Sequence, residues 1–139
     1  MRPSFPVFLL AGLLLAGAAA AADNPANTVN EVLASSDKRF LPLDAITTPI
    51  FGESQIEGGI TVRVVLETRD PAIASALHGQ MPKLRAAAVT TTLEFARLNA
   101  SGYAPVDVSL LSGALNRGIK AIDPRVARVL IVQVGAQPG

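Results

Sequence analysis

The sequence predicts an α+β fold: a small sheet, built from a β-hairpin and a C-terminal strand, with two to three helices packed on one face. Three patterns predict it. Ile56–Thr68 (IEGGITVRVVLET) sets Ile56, Gly58, Ile60, Val62, Val64 and Leu66 against Glu57, Gly59, Thr61, Arg63, Val65 and Glu67. A period of two, with one apolar set and one charged set, marks a strand with a buried face and a wetter face. Further on, apolar residues recur every three or four positions in Pro82–Leu98 and Pro105–Ile122, the spacing of one helical face. Val126–Val134 (VARVLIVQV) then returns to strand composition. The expected order is β-β-α-α-β.

Before the fold begins, the first 22 residues must be set aside. Arg2 precedes the apolar run Phe5–Leu15, and small residues fill Ala16–Ala22 before the first acid, Asp23. Positive, apolar, small is the order of a secretory signal peptide, with Ala18-x-Ala20 or Ala20-x-Ala22 as its cleavage site. The alternative is an uncleaved anchor, because Phe5–Ala22 carries no charge and approaches the length of a membrane span. Both readings carry the rest of the chain out of the cytoplasm. The periplasm is the expected location, or the inner membrane with a periplasmic domain if the leader stays.

Residues 23–39 have linker composition with room for a short helix. Thr28 stands as its N-cap, and Val29, Val32 and Leu33 form a narrow apolar stripe. Helices this short are marginal alone, so the stripe is a candidate for contact with the domain or with a sister copy.

The domain is expected over residues 40–135, with 136–139 as a tail. Phe40–Phe51 (FLPLDAITTPIF) has strand composition broken by Pro42 and Pro49, which places it at a sheet edge. Gly52-Glu53-Ser54-Gln55 supplies a four-residue hairpin loop into the long strand. Gly58 and Gly59 leave room for a bulge or for close approach of another backbone. Asp70-Pro71 starts a short helix containing Ile73, Ala74 and Leu77, with Gly79 as its terminator. Pro82 opens the next, whose stripe is Leu84, Ala88, Thr91, Phe95 and Leu98. In the last helix the stripe is Val108, Leu111, Leu115, Ile119 and Ile122, interrupted by Gly113 and Gly118, so it needs tertiary support. Asp123-Pro124 ends it. The nearly continuous apolar character of Val126–Val134 suggests a strand buried on both faces.

Composition narrows the function. Without Arg2 the chain has 11 bases and 11 acids, which argues against a nucleic-acid partner, as do only five Phe and one Tyr. The absence of cysteine removes thiol chemistry, disulfides and cysteine-metal sites. The one histidine, His78, has no neighbouring acid cluster and suits a surface or helix-end position. Glu53, Glu57, Glu67 and Asp70 flank the hairpin as solvated strand ends. Arg117, Lys120, Arg125 and Arg128 gather near the last helix–strand junction, where they complement a helix C-terminus. No catalytic, cofactor-binding or metal-ligating residues are assigned.

The order and spacing of short signatures from Leu41 to Gln133 resemble the periplasmic domain of the FliL family, flagellar basal-body-associated proteins. They are Val64–Glu67 (V-x-L-E) followed by Asp70-Pro71, Pro82-x-Leu84-Arg85 opening a helix, Gly102 before the next helix, Leu115-Asn116 late in it, and Val132-Gln133 in the closing strand. The resemblance implies a domain like those of stomatin-type scaffold proteins, a small sheet with helices on one face that assembles into rings. It also implies a place beside the flagellar stator, an influence on motor torque, and no catalytic residues. The N-terminus departs from the family, whose members keep a membrane helix behind a cytoplasmic tail; here only Met1–Ser4 precede the apolar run. The expected function is a non-catalytic periplasmic scaffold that self-associates, with Val29, Val32 and Leu33 as the self-association stripe, and that contacts the stator or other envelope proteins. The alternative is an exported small-ligand-binding or accessory domain unrelated to motility.

Overall fold

The structure, a computed structural model, describes residues 38–139. The leader and the Val29, Val32 and Leu33 stripe lie outside the described residues. Four strands and three helices follow: β1 (Phe40–Pro42), β2 (Ile46–Phe51), β3 (Ile56–Thr68), α1 (Pro71–Leu77), α2 (Met81–Asn99), α3 (Val108–Ile122) and β4 (Val126–Pro138). The class is α+β, and the order departs from expectation in the early strand, which is split in two.

β3 is the axis of the sheet. β4 pairs antiparallel with it from Gly58↔Pro138 to Thr68↔Val126, filling one edge. β1 and β2 share the other edge, β1 opposite residues 65–67 and β2 opposite residues 56–62. The chain leaves the ladder at residues 43–45, and both prolines sit at paired positions that cost the ladder no bond. Leu43 N–H donates to the Val64 carbonyl at 3.0 Å, so Val64, and by alternation Val62 and Ile60, direct their backbone groups toward this edge. Pro49, opposite Gly59, therefore falls where no ladder bond is needed.

The helices cover one face. Ile60, Val62, Val64 and Leu66 are buried there with Leu77 of α1, Leu84, Ala88 and Phe95 of α2, and Leu111, Leu115 and Ile119 of α3. On the opposite face Val65 is also buried, flanked by its cross-strand partners Pro42 and Leu130. Ile56, expected in the buried set, is exposed: the register shifts between Ile50 and Phe51, and the hairpin end turns Phe51 and Ile56 to solvent.

Local chemistry sets the helix ends. Asp70 caps α1, its Oδ1 accepting from the Ile73 N–H at 3.0 Å. Gly79 does not terminate the helical run. A 3₁₀ turn, His78–Gln80, leads straight into α2, with Pro82 in its first turn. The β-branched run Val89–Thr92 stays helical, and buried Thr92 donates its hydroxyl to the Ala88 carbonyl at 2.8 Å. The buried stripe of α2 runs through Thr92 rather than Thr91, and Leu98 is 70% exposed on the last turn. Thr91 instead faces Gly118 of α3, where a Cβ would collide with its hydroxyl, so the glycine sets the approach of the two helices. α3 starts three residues later than expected, at the Asp107 cap (Leu110 N–H to Oδ1, 2.9 Å), and its end residues Val108 and Ile122 are half exposed.

β4 is the main correction. It is an edge strand, not one buried on both faces, and only Val126 and Val129 are fully buried along it. Register shifts opposite Thr68 and Val64 leave Ala127 and Val132 as extra residues in the ladder. Each shift reverses the phase, so Val126, then Val129 and Ile131, then Val134 and Ala136 face the core. The strand also continues through Pro138, which brings most of the expected tail into the sheet.

Candidate functional site

The α3–β4 junction shapes the site. Asp123 ends α3, its N–H donating to the Ile119 carbonyl at 3.1 Å, and its own carbonyl accepts from the Val126 N–H at 3.3 Å. Asp123 is 4% exposed and its carboxylate holds Arg125 by backbone and side chain: Oδ1 accepts from the Arg125 backbone N–H at 2.9 Å and from Nε at 3.0 Å, and Oδ2 accepts from Nη2 at 2.7 Å. These bonds from Arg125 keep the Asp123 carboxyl below the usual carboxylate range against the opposing effect of burial. The result is a fixed turn that launches β4 beside α3.

Along β4 the side away from β3 pairs with no strand among the described residues. Asn116, on α3, docks on it as a surrogate strand. Its Oδ1 accepts from the Val129 N–H at 3.0 Å, and its Nδ2 donates to the Val129 carbonyl at 3.2 Å and to the Ser112 carbonyl at 2.9 Å. Val129 therefore points both backbone groups away from β3. Alternation extends this to Ile131. Beyond the bulge at Val132 it extends to Val134 and Ala136, which lie opposite Val62 and Ile60. No described residue bonds to the outward groups of Ile131, Val134 or Ala136.

Two open grooves line this edge. One, about 480 Å³, lies between α3 and the first half of β4 and is bordered by Ser112, Asn116, Lys120 and Ile131. The other, about 520 Å³, runs between the 102–106 loop and residues 134–136, with Tyr103 and Val106 on its far wall. Val108 belongs to both, and neither is lined by an acid. Residues 130–138 (LIVQVGAQP) carry no charge, so the edge lacks the lysines that commonly discourage pairing. The β1–β2 edge contrasts with it: short, interrupted, and carrying Pro42 and Pro49.

The residues singled out in the sequence are scattered. His78 is exposed in the 3₁₀ turn. Glu67 pairs with Arg128 across the sheet at 2.9 Å, and Asp70 is a helix cap. The basic group does not act as a unit, since Arg125 is held by Asp123 and Arg128 by Glu67. Gly58 permits close approach of the Gln137 carbonyl, which a Cβ would meet. Among the described residues, no group of three or more His, Cys, Asp or Glu is placed to hold a metal ion, and no helix is long and apolar enough to cross a membrane. Asn116 escaped functional notice in the sequence, because its partner lies 13 residues away on another element.

No protein-family model, curated protein or solved structure matches the chain.

Proposed function

We propose that the protein is a non-catalytic scaffold of the cell envelope, FliL-like, that works from the periplasm by self-association and by docking on envelope machinery, the flagellar motor first. The observation that carries this reading is the asymmetry of the sheet. One face and one edge are closed by helices and prolines, while the uncharged second half of β4, beyond the Asn116 contact at Val129, has no strand on its outer side among the described residues. A surface of backbone groups and small apolar residues suits protein contact. The order of elements, strands first, then helices, then a closing strand, is the order expected of the resemblance.

Motility is the test. A strain lacking the gene should swim poorly in soft agar, most clearly at raised viscosity where motor torque limits speed, and the wild-type gene should restore it. Normal swimming at both low and high viscosity would overturn the flagellar assignment. Mass spectrometry of a periplasmic extract should show the chain beginning at Ala21 or Asp23; full-length chain confined to the membrane fraction would replace the soluble scaffold with an anchored one.

A further inference from the structure

We infer that the free edge of β4 is the self-association surface, and that its occupant is β4 of a second copy, paired antiparallel to make one continuous sheet. This rests on the self-association in the proposed function and adds where it happens. Ile131, Val134 and Ala136 present backbone donors and acceptors along the edge, and an antiparallel strand is the partner that satisfies such a row. The open stretch has defined ends. Asn116 occupies the edge at Val129, and Pro138, opposite Gly58, lacks an N–H.

Charge selects the occupant. A twofold axis near Val134 would set residues 130–138 of one copy against the same residues of the other, and no like charges meet because the stretch has none. Lys120 and Arg128 border the groove at the Val129 end, away from the axis. An acidic peptide would find only these terminal cations, and a basic one no lining acid at all. Exposed apolar groups flank the seam on both faces of the sheet: Tyr103 and Val108 on the core side are 79% and 45% exposed, and Val132 on the other is 38% exposed. One contact would thus satisfy the backbone row and cover these side chains.

The experiment joins light scattering with hydrogen exchange on the purified protein. Wild type should move from monomer to dimer as concentration rises, and the amides of Ile131, Val134 and Ala136 should gain about tenfold protection over the same range. Ala136→Pro removes an N–H that points away from β3, so it should give a monomer with unchanged circular dichroism. Val132→Lys, which places a cation on an exposed edge position, should do the same. A dimer that survives both substitutions would overturn the edge assignment alone. A strict monomer at high concentration would overturn the edge and self-association together. Protection that does not change with concentration would assign the edge to a segment of the same chain and overturn the second copy as its occupant.

Discussion

Replacing Asn116 with alanine should lower the unfolding free energy by about 2 kcal/mol, at roughly 1 kcal/mol for each of its two hydrogen bonds to Val129, the third bond, to the Ser112 carbonyl, being local to α3. Both bonds go to Val129, whose side chain is buried in the core, so the amide fixes the height of β4 against α3. Water can reach an edge strand and partly replace the amide, which keeps the figure below that for a sealed interior. Urea unfolding followed by circular dichroism measures it as a lower midpoint with unchanged slope. Asn116→Asp sharpens the test. One carboxylate oxygen could still accept from the Val129 N–H, but the other would face the Val129 and Ser112 carbonyls, where the amide now donates. At neutral pH the aspartate variant should therefore be at least as unstable as the alanine variant. A loss under about 0.5 kcal/mol for alanine, or a wild-type midpoint for aspartate, would refute the clamp.

Other substitutions test the rest of the molecule. Leu115→Ala and Phe95→Ala should each cost about 2–5 kcal/mol in the same assay, since both side chains sit in the core under β3. Thr48→Val should raise stability by up to about 1 kcal/mol, because the Thr48 hydroxyl is buried with no partner among the described residues, and valine keeps its shape. For Asp123 the folded carboxyl titrates below its unfolded range, so its contribution is complete above about pH 4 and fades as pH falls through the folded pKa. Wild type and Asp123→Asn should accordingly differ in melting temperature at neutral pH and converge in strong acid.

The long strand was readable because β3 keeps one phase from Gly58 to Leu66, with the glycines as its only irregularity. Asp70, Pro71 and Pro82 marked helix starts through chemistry that acts within a turn or so of the chain, and local signals of that kind survive in a sequence. β4 was misread for the opposite reason. Its bulges at Ala127 and Val132 interrupt the alternation twice, and the summed pattern looks uniformly apolar, as a central strand would. In α2 the stripe through Thr91 and Leu98 and the real one through Thr92 differ by a rotation of one residue, which depends on where α3 lies. The edge site was hidden more deeply. Which side of a strand is left open is decided by the whole topology, and Asn116 meets Val129 only after the Asp123 turn has formed.

The central position of β3 also governs when the domain can be completed. Its hairpin with β2 is local, but its partners in β4 lie roughly 60 to 80 residues downstream. Closing so long a loop is slow, and it waits on the closing strand of the sheet. Until Pro138 has been synthesised, one whole flank of β3 has no neighbour, and an early collapse would bury the wrong segments against it. The same dependence makes loss of β4 by truncation a route to aggregation rather than to a shorter working protein.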